Sequence, residues 1–248
     1  MTIVFIHGFT ETKDIWNPLR AILGRESIAV ALPGFDTTIP QGFIGTKDAY
    51  VEWLVEFLKS VKPPIDLVGH DVGALITMRL ISFFDIPVRS WVADVGPIFH
   101  PENEWPERVQ KLQTPTVGEE MQKVRREASP KDPKSTTYIL QQIGVPKELA
   151  LKIGKAHNET MSKCILDFYR SAIPNVAKDW WRYIKPDIKS HGLILLLPDP
   201  PEEEKKSLEV AAKLHAETAR LDNLNHCWMA EAPEIVAQVL ENFWSSLE

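Results

Sequence analysis

The 248-residue chain has only two cysteines, Cys164 and Cys227, too few and too isolated for a disulfide framework or a zinc site. No apolar run is longer than Leu193–Leu197, far short of the ~20 residues that span a bilayer, so no membrane is expected as a partner. No Lys/Arg block is present, and 34 acidic residues against 28 basic ones give a net charge of −6. That balance argues against nucleic acid. No internal repeat or low-complexity segment appears. The opening Met-Thr-Ile-Val-Phe-Ile lacks a basic n-region and a cleavage site, so no signal peptide is expected and the cytoplasm is the default address. A composition of 44% hydrophobic and 25% charged residues excludes wholesale disorder, a coiled coil and a collagen-like chain.

What is present alternates. Thr2–Ile6, Ser27–Leu32, Ile65–Val68, Val88–Ala93, Gly192–Leu197 and Thr218–Leu221 are short apolar or β-branched runs bounded by Gly or Pro, and each predicts a strand. Asp48–Lys59 and Pro233–Leu247 carry apolar residues at helical spacing. Strand alternating with helix predicts a parallel sheet covered on both faces. The alternation breaks once, from Pro97 to about Pro186, where proline-punctuated helical patches hold Trp105, Tyr138, Phe168, Tyr169, Trp180, Trp181 and Tyr183. We expect a core made of residues 1–97 and 186–248, with 98–185 forming a helical lid over the carboxyl edge of the sheet, where ligands bind in such folds.

The sharpest motif is Gly69-His70-Asp71-Val72-Gly73, directly after the third strand and before an apolar helix. A capping aspartate is the plainer account of Asp71. The strand before it, the flanking glycines and the helix behind it favour a strained elbow that thrusts a nucleophile out at the top of the sheet. His226 follows the sixth strand and precedes the last helix, the position of a general base.

With these residues in place, the chain resembles the α/β-hydrolase family and, within it, the members with an aspartate nucleophile: epoxide hydrolases, haloalkane dehalogenases and haloacetate dehalogenases. The resemblance runs from His7-Gly8-Phe9 through the elbow and the lid to Asn225-His226-Cys227-Trp228. It implies an α/β-hydrolase fold whose sheet has six mostly parallel strands, lacking the family's first two, with helices on both faces and the lid after the fourth strand. It implies a nucleophile at Asp71, a base at His226, and an acid orienting that base at Asp199 or, alternatively, Asp94. The oxyanion donors it implies are the backbone N–H groups of Phe9 and Val72. His7 and His70 would support the site through hydrogen bonds beside the substrate. The family usually carries proline where this chain has Thr10.

Val72 argues against haloalkane dehalogenases, which usually place a Trp there, and with Leu75 against the Arg-bearing haloacetate enzymes. Asp167-Phe168-Tyr169-Arg170 resembles the Tyr-Arg segment of epoxide hydrolase lids. Tyr169 is then the acid for the opening epoxide, with Tyr138 preferred to Tyr183 as a second donor. Trp105, Trp180 and Trp181 are the candidates for holding a halide, or else pack the lid. The expectation is a cofactor-independent hydrolase, without a metal, that converts a small apolar epoxide to a diol. A dehalogenase and a ligand-binding homologue without turnover are the alternatives. Oligomeric state is left open, a homodimer included.

Overall fold

The structure is a computed structural model and describes residues 1–247. Six strands form one sheet: β1 Thr2–Ile6, β2 Ser27–Val30, β3 Ile65–Gly69, β4 Val88–Ala93, β5 His191–Leu196 and β6 Ala216–Arg220. Their order across the sheet is β2-β1-β3-β4-β5-β6, and every pairing is parallel. Strand periodicity divides the side chains between two cores. Val4, Ile6, Leu67 and Ala93 face the helices Lys47–Leu58 and Val72–Phe83. Ile3, Phe5, Val68 and Val92 face Asn17–Leu23 and Pro233–Ser245. Buried on both sides, the central strands read as continuous apolar runs.

Both edge strands differ from the sequence expectation. β2 stops at Val30, because the Leu32 N–H donates to the His7 ring instead of to a neighbouring strand. β6 starts early, since Ala216 and Glu217 pair with Gly192 and Leu193. Its half-exposed, charged residues hide that pairing from an apolar count and also discourage edge-to-edge association.

Between β4 and β5 the chain is helical: Gly96–Phe99, Glu107–Gln113, Val117–Glu127, Thr136–Gln142, Lys147–Ala156, Glu159–Ser171 and Ala177–Trp180, closed by a 3₁₀ turn at Trp181–Tyr183. The boundary expected at residue 98 falls inside Gly96–Phe99, which packs on the helix Pro201–Lys213 beside the sheet. This segment has no core of its own. Leu140, Val145, Ala150 and Ile153 pack with Trp16 and Trp228, while Met161, Phe168 and Trp180 pack with Phe35, Tyr50 and Leu75. Among the described residues no helix is long and apolar enough to cross a membrane.

Candidate active site

β3 runs straight into the elbow. Asp71 has φ 49° and ψ −119°, a conformation that costs of order 1–3 kcal/mol in a non-glycine residue and persists only where the surroundings impose it. Here the Asp71 N–H donates to Asp94 Oδ1 at 2.9 Å, and the Asp71 carbonyl accepts from Leu75 N–H at 3.1 Å, starting the helix. Gly73 is required because a Cβ there would lie 2.2 Å from the Ile6 carbonyl oxygen. Gly8 is required because a Cβ would lie 2.5 Å from the Asp71 Cβ. The β1 loop and the elbow are therefore pressed together.

That closeness sets the chemistry of Asp71. Its Oδ1 accepts the Phe9 N–H at 3.0 Å, and its Oδ2 lies 3.5 Å from His226 Nε2. Burial alone would raise the Asp71 carboxyl. The bond and charge of His226, the charge of His70 and the Phe9 N–H override burial and hold it below the usual carboxylate range. The Phe9 N–H thus points at the Asp71 carboxylate, and Val72 opens the helix that follows Asp71. The Phe9–Thr10 peptide, at the position of the family's usual proline, is cis.

Beneath Asp71 lies a buried charge cluster. His70 Nδ1 donates to Asp94 Oδ2 at 2.5 Å, and its Nε2 donates to Glu11 Oε1 at 3.1 Å. Burial works against an imidazolium, but the charges of Asp94 and Glu11 outweigh it and raise His70 well above 6.5. The same contact, set against burial, lowers Glu11. Glu11 Oε2 accepts the Gly8 N–H at 3.0 Å, which ties the cluster to the Phe9 loop. Asp94 also accepts the Trp228 indole N–H at 2.7 Å and is followed by Val95 at φ 47°, a strained conformation for a β-branched residue.

Several sequence expectations change on this geometry. His70 and His7 are fully buried with both ring nitrogens occupied, so neither meets a substrate. His7 donates to the Gly8 carbonyl and accepts the Leu32 N–H, joining the ends of β1 and β2, and burial lowers its pKa. Asp94 uses its oxygens on His70, Asp71 and Trp228, and no bond from it to His226 occurs among the described residues. Asp199 is exposed in the loop after β5 and is not hydrogen-bonded to His226 either, though the two charges act on each other. Partial burial, with the nearby charges of Glu203 and Asp94, raises the Asp199 pKa.

Tyr169 is carried inward by the helix Glu159–Ser171. Asn158 caps that helix through the Met161 N–H at 2.9 Å, and Met161, Cys164, Ile165, Phe168 and Tyr169 form its buried stripe. The Tyr169 ring stands edge-on to Phe9 at 6.4 Å and to Trp105 at 5.6 Å. Burial and the Asp71 charge raise its phenol. Its neighbour Arg170 is engaged bidentately by Glu119 and takes no part. Tyr138 is half-buried on Thr136–Gln142 and Tyr183 is exposed. Neither has a ring contact with the site among the described residues.

The tryptophans proposed for halide have other partners. The Trp105 indole donates to the Ala172 carbonyl at 2.9 Å and that of Trp180 to Asp48 at 2.7 Å. The Trp181 ring lies tilted against that of His100, 5.5 Å between centroids. Glu11 escaped sequence analysis: it lies three residues past Gly8, but nothing in that spacing announces a partner 59 positions away. One group with metal-ligand spacing does exist, Glu11, His70 and Cys227, all buried. Its His70 nitrogen already serves Glu11, and burial and the Glu11 charge push the Cys227 thiol up to about 12, against the deprotonation that a metal needs.

This frame is shared with known proteins. The fold of a Pseudomonas aeruginosa protein provisionally assigned to the epoxide hydrolases superposes with a TM-score of 0.82 at 18% identity, over 99% of this chain and 89% of that one. MenH from S. aureus gives 0.72 at 18% identity over 100% and 94%. A loop variant of the haloalkane dehalogenase DbeA from Bradyrhizobium elkanii gives 0.72 at 15% over 99% and 89%. No curated protein matches the chain by sequence. The sequence profile of the alpha/beta hydrolase family matches residues 3–239, and the chain belongs to that family.

Proposed function

We propose that the protein hydrolyses epoxides through an ester formed on Asp71. The observation that carries this reading is the pairing on one carboxylate: a backbone donor from Phe9 on Oδ1 and His226 on Oδ2, with the Tyr169 phenol within electrostatic reach. Asp71 Oδ2 attacks an epoxide carbon, the carbon–oxygen bond breaks, and the leaving alkoxide takes the Tyr169 proton. His226 then takes a proton from water, whose oxygen attacks the ester carbonyl carbon of Asp71. The Phe9 and Val72 N–H groups receive the oxyanion. Its collapse frees the diol and the carboxylate, and the proton on His226 returns to the Tyr169 oxygen through water. The sum is epoxide plus water to diol.

A carboxylate suits attack on an sp³ carbon, since an acyl substrate would give an anhydride. Val72 offers no side-chain donor to a halide, and the indoles of Trp105 and Trp180 are engaged elsewhere. Asp199, whose charge acts on His226, is the orienting acid of this mechanism, while Asp94 holds His70 and the elbow. The helical segment over the site serves as the lid. Replacing His226 by Gln should stall the second step. Intact mass spectrometry of that variant with epoxides should show an adduct of the whole substrate mass, absent when Asp71 is also Ala. An adduct lighter by hydrogen halide, formed only with haloalkanes, would replace the reading by dehalogenation. Turnover retained in Asp71→Ala would end it.

A further inference from the structure

Among the described residues the His226 ring has no hydrogen bond beyond its 3.5 Å approach to Asp71, so no side chain aims it. What is held is the backbone on either side. Before it, Glu231 Oε2 accepts the Asn225 N–H at 2.6 Å, and Oε1 accepts the Asn225 side-chain N–H at 2.8 Å. After it, the Cys227 N–H donates to the Ile143 carbonyl at 2.9 Å. The Cys227 carbonyl accepts the N–H groups of Ala230 at 3.0 Å and Glu231 at 3.1 Å, closing the short helix Trp228–Glu231 that brings the Glu231 side chain back beside Asn225. Glu231 has no cationic partner among the described residues, and both of its oxygens serve Asn225. Bonds to a carboxylate are roughly twice as strong as neutral ones, which makes this a firm grip for a half-buried loop.

The grip is made against the helical segment between β4 and β5. Gly144, at φ 101° in the turn between Thr136–Gln142 and Lys147–Ala156, could carry a Cβ only at 2.8 Å from Glu231 Oε2. Its neighbour Ile143 is the residue that takes the Cys227 N–H. Two consecutive residues of one turn thus meet both clamps on His226.

We propose that Glu231 is the positioning residue of His226: it fixes the backbone before the base, against the turn Ile143–Gly144, so that the ring meets water and the Asp71 ester in the geometry the second step needs. The inference rests on the reading of His226 as the base of that step. Asp199 acts on the ring through its charge, whereas Glu231 acts on where the ring starts from. A misplacement of about 1 Å costs about a hundredfold. Attack on the epoxide uses Asp71 and Tyr169 and takes no proton to or from His226, so the fault should fall on ester hydrolysis alone.

Two readouts test this, the first without substrate. In the wild-type protein the rings of His226 and His70, 4.5 Å apart between centroids, should show an NOE between their ring protons. Glu231→Ala should weaken it. Gly144→Ala, which presses on the carboxylate from the other side, should do the same and serves should Glu231→Ala fail to fold. Glu231→Gln should restore it, because the Asn225 amide can turn its oxygen toward the new N–H₂. Rapid-quench intact mass spectrometry with styrene oxide then separates the steps. In Glu231→Ala ester hydrolysis should slow between about ten- and a hundredfold while alkylation of Asp71 stays within about twofold, so that ester accumulates. Glu241→Ala, which removes a carboxylate from the helix Pro233–Ser245, should not produce this split. An NOE indifferent to Glu231→Ala and Gly144→Ala, both steps slowed alike, or a lowered unfolding temperature with neither rate changed overturns the inference. An NOE lost in Glu231→Ala, with no ester on Asp71 even in His226→Gln, leaves the positioning role standing and ends the epoxide reading.

Discussion

Replacing Asp94 by Asn tests the buried charge cluster, because it removes one charge and little volume. The carboxylate accepts three hydrogen bonds in a fully buried position, from His70, the Asp71 N–H and the Trp228 indole. An amide oxygen can replace one carboxylate oxygen, but the amide N–H₂ must then face a donor, the Asp71 N–H if the oxygen stays with His70 and Trp228. The imidazolium is left with Glu11 alone. Removing one partner of a buried ion pair costs about 3–5 kcal/mol, a large part of a total stability of about 5–15 kcal/mol. At a urea m-value of about 3 kcal/mol per M, that lowers the unfolding midpoint by about 1 M or more.

The sign of the pH dependence makes this test specific. His70 has a folded-state pKa raised well above its ordinary 6.5. Its stabilisation is complete below about pH 6.5 and is lost as pH rises through the folded value. Wild-type protein should therefore weaken on the alkaline side of 6.5, and Asp94→Asn should weaken less steeply there. Urea unfolding at pH 6 and pH 9 should show the midpoints about 1 M apart at pH 6 and closer at pH 9. A gap that is absent at pH 6, or that widens at pH 9, would refute the charged cluster.

Gly8→Ala should press a methyl group onto the Asp71 side chain, 2.5 Å from its Cβ and 2.8 Å from Oδ1. Displacing the nucleophile by about 1 Å should cost about a hundredfold in kcat, measured on epoxide hydrolysis. His157 is buried between Thr136 and Ser162 hydroxyls, and burial, with the charges of Arg125 and Arg126, lowers it to about 4. Its contribution, about 3 kcal/mol, is present above pH 6.5 and lost as pH falls toward 4, so His157→Gln should flatten the acid side of a stability profile. Because burial and Asp71 raise the Tyr169 phenol, turnover should show no loss of the acid up to pH 10. Tyr169→Phe should lower kcat at least a hundredfold at every pH in that range, with thermal unfolding unchanged.

The parts of this protein that were legible in sequence are those whose physics is local. β1 and β4 run as their apolar residues say, because central strands are buried on both faces. Asp71 was visible because an elbow needs glycine on both sides within five residues, and His226 because the order of strands places it. Edge strands are half-solvated, so the bounds of β2 and β6 blurred. The Glu11–His70–Asp94 cluster joins three loops, and no spacing along the chain encodes it. His70 looked like a substrate neighbour because adjacency to Asp71 was all the sequence offered. Backbone geometry at the elbow instead sends the two side chains to different partners, Asp71 to Phe9 and His226 and His70 to the buried Asp94 and Glu11. The indoles of Trp105 and Trp180 show the same limit, since a carbonyl 67 positions away and a carboxylate 132 positions away claim their N–H groups.

The cluster also bears on why this site can work with an aspartate. In the proposed mechanism Asp71 must be an anion before attack and again after the ester is cleaved. A nucleophile whose one countercharge was its own base would lose that countercharge whenever the base gave up its proton. His70 lies directly beneath, its ring 4.5 Å from that of His226, with one ring N–H held by Asp94 and the other by Glu11. It supplies a positive charge that does not come and go with the cycle, while His226, more exposed and within 3.5 Å of Asp71, is left to exchange protons with water. The same bonds fix geometry: Asp94 holds the Asp71 N–H and Glu11 holds the Gly8 N–H, so the electrostatic support and the strained elbow share one set of contacts. A variant that neutralises the cluster should accordingly slow both steps, and one that only removes His226 should slow the second alone.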